Sequence, residues 1–235
     1  MKNCLGIYVD DNDQTIYIVD PLNYRIVGWK PEAKNGEVVA GGNGIINQID
    51  QISVPSDMAF DPTNDSFIIC DRGNDRIVRW FQGEVIGTIM AGGNGAGNQL
   101  DQLNKPAYIF IDEDYSIYIS DSDYDRVMKW ESDAKQGIIV AGGNGSGSSL
   151  TQLSRPQSII VDHLGNIYVA DAGNHRIMRW QKGAKQGSII VGGNGPGDKL
   201  NQLWSPSGIS FDQQGNIYVC SQSTLRVQKF PVRIY

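Results

Sequence analysis

The fold is decided by the stretch 156–192, which reads PQSIIVDHLGNIYVADAGNHRIMRWQKGAKQGSIIVG. Short apolar runs, rich in β-branched residues, alternate in it with turn-forming residues, and no run keeps the 3.6-residue period of a helix. The connection 172–175 is short and contains Gly and Asn, as hairpin turns do. We therefore predict four antiparallel strands, at 158–162, 166–171, 176–180 and 188–191.

The same unit recurs along the whole chain. The segment Gly-Gly-Asn-Gly begins at Gly41, Gly92, Gly142 and Gly192, at spacings of 51, 50 and 50 residues. Other marks keep this step, namely Trp29, Trp80, Trp130 and Trp180, then Asp10, Asp61, Asp112, Asp162 and Asp212, then Arg25, Arg76, Arg126, Arg176 and Arg226. Fixed periods of this length indicate repeat architectures. We predict a single domain over 1–235 with units at approximately 4–54, 55–105, 106–155, 156–205 and 206–235.

The apolar runs are nearly continuous, which is typical of strands covered on both faces. Four short antiparallel strands per unit favour an all-β fold, a β-propeller of five four-stranded blades, over a solenoid. The last blade lacks a clear outer strand, because only five residues follow Phe230. Two closures stay open: a closed five-bladed monomer, which we favour, or part of a larger ring.

The fourth unit carries a recognisable motif. It contains Val161-Asp162, a Gly165-Asn166 turn, the strand 167–171 with the sequence Ile-Tyr-Val-Ala-Asp, and then 174–177, Asn-His-Arg-Ile. This pattern resembles the repeat of the NHL family, and the other units keep it less closely. The resemblance implies a β-propeller. It also implies relatives that act as scaffolds, accompany ubiquitin-ligase modules or bind RNA, and related six-bladed lyases and ester hydrolases with a metal in the central channel.

Composition narrows the classes of partner. Lys and Arg number 20 against 26 Asp and Glu, a net charge of -6, which disfavours binding to nucleic acid or to an anionic membrane. No apolar run approaches the roughly 20 residues of a membrane helix, and we expect no signal peptide. The compartment is left open. Three cysteines give neither a disulfide framework nor a zinc pattern, and we expect Cys70 and Cys220 to be small buried side chains.

The recurring polar residues are interpreted as architectural. Asp162 precedes a Gly-Asn turn and can accept its backbone N–H groups. Asp171 can pair with Arg176 across the next hairpin, whereas the fifth unit has Ser221 facing Arg226. The same pair is expected in the earlier units as Asp20 with Arg25, Asp71 with Arg76, and Asp121 with Arg126. The glycine-rich segments lack the context of a phosphate loop and are interpreted as connections between blades.

A binding site is better sought where the units differ. Strand alternation places the hairpins between second and third strands on the same face as the connections between blades, and loops on a rigid scaffold often bind ligands. On that face, Trp204 stands where other units have Ser53, Asn104 and Ser154, and Tyr24, Tyr124 and His175 vary at one hairpin position. The predicted partner-binding residues are Tyr24, Ile45, Ile46, Asp75, Tyr124, Asp125, His175 and Trp204.

The favoured function is a non-catalytic binding or scaffold module that recognises a protein or peptide through this loop-rich face. A glycan is a further option for the partner, and we expect a monomer with no cofactor. The alternative is a lyase or ester hydrolase that uses calcium, held in the central channel by Asp and Asn side chains. A zinc site with three histidines is impossible, because His163 and His175 are the only two.

Overall fold

The computed structural model describes residues 5–43 and 49–231, and these contain 19 strands. The strands form four antiparallel sheets of four strands and one of three, each sheet in chain order. Two compact units divide the chain: the first runs to Ile109 and includes Asp133–Gly137, and the second comprises Phe110–Ser132 and the chain from Ile138 onward. Within the described ranges, no helix has the length and apolar character needed to cross a membrane.

The first compact unit contains two complete sheets. The first sheet consists of β1 (Ile7–Val9), β2 (Ile16–Asp20), β3 (Arg25–Trp29) and β4 (Glu37–Gly41). The second consists of β5 (Asp57–Asp61), β6 (Ser66–Asp71), β7 (Arg76–Phe81) and β8 (Thr88–Gly92). Aromatic rings join them, because the ring of Tyr17 lies 5.1 Å from that of Phe60 and 4.8 Å from that of Phe67, measured between centroids. Such pairs add to the stabilisation from burial.

The second compact unit contains most of the third sheet and all of the last two sheets. The third sheet consists of β9 (Pro106–Ile111), which crosses the boundary between the units, β10 (Ile117–Asp121), β11 (Arg126–Trp130) and β12 (Ile138–Gly142). The fourth consists of β13 (Pro156–Val161), β14 (Ile167–Asp171), β15 (Arg176–Trp180) and β16 (Ser188–Gly192). The fifth consists of β17 (Pro206–Phe211), β18 (Ile217–Ser221) and β19 (Arg226–Phe230). The strands predicted for the fourth unit are therefore confirmed to within two residues at each end.

The recurring tryptophans lie at or next to the end of the third strand in four sheets. Trp80, Trp130 and Trp180 are at most 2% exposed. The indole N–H of Trp80 donates to the carbonyl of Glu84 at 2.8 Å, and that of Trp29 donates to Ala33 at 3.0 Å. A buried indole needs such an acceptor. The ring thus fills the sheet interior while its N–H fixes the loop toward the fourth strand.

The predicted aspartate turn is present. Oδ1 of Asp162 accepts hydrogen bonds from the backbone N–H groups of Leu164 and Asn166, at 3.0 and 2.9 Å. Asp212 does the same for Gln214 and Asn216. These are local side-chain bonds of the kind that favour Asp in turns. They set the hairpin between the first and second strands of each sheet.

The cysteine prediction is confirmed for Cys70 and wrong for Cys220. Cys70 is buried, whereas Cys220 is exposed. Ala170, at the equivalent position of β14, is fully buried and packs in a core cluster with Ile209 and Val219 of the fifth sheet. In the described residues no sheet follows the fifth, so the side of β18 that carries Cys220 faces solvent.

Candidate functional site

The hairpins between second and third strands share one backbone conformation. A 3₁₀ turn of three residues is followed by one residue in the left-handed region, with φ between 51° and 57°. The residues in this position are Tyr24, Asp75, Asp125, His175 and Leu225. Tyr124 lies one residue earlier, so it is equivalent to Asn74 and Asn174 rather than to Tyr24 and His175. The shared position predicted for Tyr24, Tyr124 and His175 is therefore wrong for Tyr124.

Three of these left-handed residues fasten the following connection. Oδ1 of Asp75 accepts the backbone N–H of Lys105 at 2.7 Å, and Asp125 accepts that of Arg155 at 2.7 Å. In the next unit Nδ1 of His175 accepts the N–H of Ser205 at 3.1 Å. Each bond spans 30 residues and joins one hairpin to the connection that leads into the next sheet. Within each of the two compact units, the structure therefore brings hairpins and connections together on one side.

The buried Asp–Arg pairs grip the preceding connection. Asp171 lies 2.7 Å from Nε of Arg176, whose Nη atoms donate to the carbonyls of Ser148, Ser149 and Gln152. Oδ1 of Asp171 also accepts the N–H of Ser154 at 2.7 Å. Burial raises the pKa of the Asp171 carboxyl, even though Asn174 and Arg176 donate hydrogen bonds to it.

The four predicted pairs are confirmed. Their Nε–Oδ2 distances are 2.7 to 3.0 Å, for Asp20 with Arg25, Asp71 with Arg76, Asp121 with Arg126, and Asp171 with Arg176. The fifth unit departs as predicted, because Ser221 is fully buried and its hydroxyl has no hydrogen-bond partner within the described ranges. Arg226 turns to the side chain of Gln228 instead, at 3.0 Å.

Trp204 is the candidate that presents a large free surface. It is 46% exposed, in the connection before the fifth sheet. Its carbonyl accepts the N–H of Ser223 at 3.4 Å, and the next residue, Ser205, is held by His175. The indole therefore stands on a backbone that is tied to two hairpins. Trp is enriched among residues that dominate binding energy.

Sequence reasoning missed Leu225, which belongs to the same hairpin as Ser223. Leu225 is 91% exposed and has φ of 51°, an uncommon conformation for a bulky residue that costs about 1 kcal/mol. The signal was available, because Leu225 occupies the position held by Asp75, Asp125 and His175 in other units. We call Trp204 and Leu225 together the Trp204 patch.

The remaining predicted residues fall into two groups. Tyr24 and Tyr124 are half-buried, and the guanidinium of Arg126 lies 5.5 Å from the ring centroid of Tyr124. Cation–π contact of this kind holds the Tyr124 ring in place. Ile45 and Ile46 lie outside the described residues.

A second feature missed by the sequence reasoning is Asp57, on β5 in the second repeat unit. Its Oδ2 accepts the backbone N–H of Ile109 at 3.0 Å, and a side chain at Gly6 would come within 3.2 Å of its Oδ1. Desolvation raises the pKa of Asp57 to about 7. Other units have Gly6, Tyr108, Ser158 and Gly208 at this position. Among the described residues, no three His, Cys, Asp or Glu side chains gather as a metal-binding group.

Repeated antiparallel sheets of four strands in chain order, the last with three, are the blades of a β-propeller. The model of the NHL repeat matches residues 153–179, within the unit whose motif is most complete. The chain is a β-propeller protein with an NHL repeat at 153–179. No curated protein matches it in sequence.

Solved structures share the fold. A nidogen–laminin complex contains a chain that is 19% identical, with a TM-score of 0.69, over 98% of this chain and 76% of that one. A gluconolactonase from Xanthomonas campestris is 17% identical, with a TM-score of 0.67, over 93% and 69% of the two chains. Virginiamycin B lyase from Staphylococcus aureus is 13% identical, with a TM-score of 0.61, over 98% and 70%. At these identities the likeness concerns the fold alone.

Proposed function

We propose that this protein is a non-catalytic binding module that recognises a protein or peptide through its loop-rich face, with the Trp204 patch as the anchor. The observation that carries the proposal is the 46% exposed indole of Trp204 on a connection fixed by hydrogen bonds at both neighbouring hairpins. A rigid aromatic anchor loses little conformational entropy on binding.

The architecture supports this role. Backbone N–H groups of the connections donate hydrogen bonds to the side chains of Asp75, Asp125 and His175, and these bonds hold the loops in place. The side chains of Trp204 and Leu225 hold no connection in this way among the described residues, and their apolar surface is exposed to solvent. Exposed apolar residues on fixed loops are typical of surfaces that bind partners.

The test starts from a random peptide library displayed on phage and selected against the immobilised protein. Synthetic peptides from that selection are titrated against the wild type and against Trp204→Ser, Leu225→Ser and Tyr124→Ala. We expect Kd to rise at least tenfold for Trp204→Ser, because hot-spot residues contribute about 2 kcal/mol or more. Val85→Ser removes an apolar residue of the second repeat unit that is 69% exposed, more than Trp204, and serves as the control.

The proposal fails if selection enriches no peptide, or if Trp204→Ser and Val85→Ser bind every selected peptide as the wild type does. Circular dichroism of each variant checks that the sheets remain folded. Any loss of binding is then assigned to the side chain that was removed.

The alternative is an ester hydrolase or lyase, and one observation favours it. Asp57 is a carboxyl group with a pKa raised to about 7, and perturbed carboxyl groups cluster at catalytic sites. The gluconolactonase and the lyase named above show that enzymes use this fold. The test measures metal content after dialysis without chelator, and hydrolysis of lactones and aryl esters by the wild type and by Asp57→Asn. A bound ion together with activity lost in Asp57→Asn would favour the enzyme over the binding module.

A further inference from the structure

An open groove of about 630 Å³ lies between the third and fourth sheets, within the second compact unit. One wall is β12, with Ile138 and Ile139, and the other is the loop 182–185 that follows β15. Trp180 and Tyr118 also line it. The volume is in the range of clefts that hold ligands. We call this space the rim groove.

The first wall of the rim groove is a free sheet edge. β12 is the outermost strand of the third sheet, and no strand in the described part of the chain pairs with its outer side. Ile138 is 53% exposed and Ile139 is 44% exposed. An exposed apolar edge strand offers unpaired backbone N–H and C=O groups, on which another extended segment can be added.

The rim groove differs from its counterpart between the first and second sheets. That space holds only about 50 Å³ and is lined by Glu37, Gly28 and Gln82. The residues at the same positions of the repeat in the rim groove are Ile138, Lys129 and Lys182. The outer-strand position of Ile138 is Thr88 and Ser188 in the other units. Ile138 on the edge strand and Lys182 in the loop are thus particular to this place in the chain, whereas the position of Ile139 is apolar in every four-stranded sheet.

The ionisable residues that line the rim groove carry a positive balance. Lys129, Lys182 and Lys185 stand against Glu131 alone, so three positive charges and one negative give a net +2, in a chain whose net charge is -6. Lys129 pairs with Asp112 at 3.1 Å. Lys182 and Lys185 are exposed. Their ammonium groups are placed to meet carboxylates of a bound segment.

We propose that the rim groove binds an extended acidic peptide, which adds as a strand to the outer edge of β12. Backbone hydrogen bonds to β12 supply the pairing, as in other cases of strand addition. The apolar side chains of the peptide lie on one face of the added strand and pack against the exposed isoleucine on that face of β12. The carboxylates between them face Lys182 and Lys185. This surface is separate from the Trp204 patch and does not depend on it.

The test uses a fluorescein-labelled peptide of alternating valine and glutamate, titrated by fluorescence anisotropy, with a valine–lysine peptide as the probe of opposite charge. We expect saturable binding of the acidic peptide alone. The double variant Lys182→Glu/Lys185→Glu is expected to weaken it at least tenfold. Lys34→Glu changes the residue equivalent to Lys185 in the first unit and is expected to leave Kd unchanged. Hydrogen exchange is expected to slow at amides of β12 when the peptide is bound.

Three results would overturn the proposal: no saturable binding of the acidic peptide, equal binding of the lysine peptide, or equal weakening by Lys34→Glu. Binding without added protection of β12 amides would also count against strand addition. Trp204→Ser should bind this peptide as the wild type does, which separates the rim groove from the Trp204 patch.

Discussion

The imidazole of His175 replaces a carboxylate as the clamp on the next connection. Its Nδ1 accepts the N–H of Ser205 at 3.1 Å, whereas Asp125 accepts the N–H of Arg155 at 2.7 Å. The proton of the neutral ring is therefore on Nε2, which has no hydrogen-bond partner among the described residues and can donate to solvent or to a ligand. The hairpin and the connection that carries Trp204 are joined through this one bond.

We expect His175→Ala to lower the free energy of unfolding by about 1 kcal/mol, because one hydrogen bond to a partly buried amide is lost. His175→Asp restores the acceptor found in two other units and should stay within about 0.5 kcal/mol of the wild type. Urea unfolding measures both, and hydrogen exchange at the Ser205 amide should be faster in the Ala variant. Equal stability of the Ala variant and the wild type would contradict a clamping role.

Asp171→Ala should be much more damaging than Asp20→Ala. Both carboxylates are fully buried, but the side chain of Arg176 is 3% exposed and that of Arg25 is 35% exposed. Removing Asp171 leaves a buried guanidinium without its carboxylate, at a cost of about 3–5 kcal/mol, whereas water can solvate Arg25. Urea midpoints of the two variants give the comparison. The explanation fails if the two losses are equal.

Ser221→Asp should stabilise the protein. It supplies the carboxylate that the fifth unit lacks, opposite Arg226, and removes a buried hydroxyl that has no partner among the described residues. Restoring a consensus residue commonly adds about 1 kcal/mol. Ser221→Asn is the control, because the Asn side chain has nearly the same shape as that of Asp but carries no charge. A lower thermal midpoint for the Asp variant than for the Asn variant would show that Arg226 does not accept the pair.

Asp57 should make stability depend on pH. Because desolvation raises its pKa to about 7, the folded protein holds this proton more tightly than the unfolded chain does. Its stabilising contribution is full below about pH 4, the ordinary Asp value, and is lost as pH rises through about 7. Asp57→Asn should therefore gain about 2–4 kcal/mol relative to the wild type between pH 4 and pH 8.

Urea unfolding at these two pH values measures the gain as the difference between variant and wild type. Asp198→Asn, at an exposed aspartate of the fifth unit's connection, should show no such change. A gain that is the same at both pH values would mean that proton binding at Asp57 is not the cause.

The glycine-rich connections give a matched pair of substitutions. Gly142 has φ of 68°, and a Cβ there would lie 2.5 Å from the carbonyl oxygen of Asp125. Gly145 has φ of 77° but open space around it. We expect Gly145→Ala to cost about 1 kcal/mol from backbone strain, and Gly142→Ala about 2–4 kcal/mol because a clash is added. Thermal unfolding that ranks them in the opposite order would contradict the packing described for this connection.

Features that act within one hairpin were predictable from the residues. Asp171 with Arg176, and Asp162 with its turn, lie within five residues of each other, so spacing alone suggests the contact. The bond of His175 to Ser205 spans 30 residues and depends on how one sheet meets the next, which a repeat pattern does not specify. Cys220 was misassigned for the same reason, because its burial depends on a following sheet. Closure of the blades into a monomeric ring stays a prediction.

The clamps at Asp75, Asp125 and His175 and the grip of Arg176 all contact backbone atoms of the connections. Every amino acid except proline offers the same N–H, and every one offers the same carbonyl. The exposed side chains of these connections can therefore change during evolution without loosening the loops, whereas their glycines and buried leucines cannot. A lineage that duplicates this unit inherits a frame in which new specificities can be tried by exchanging a few loop residues, and a library randomised at the exposed positions 148–150 and 198–200 would use the same freedom.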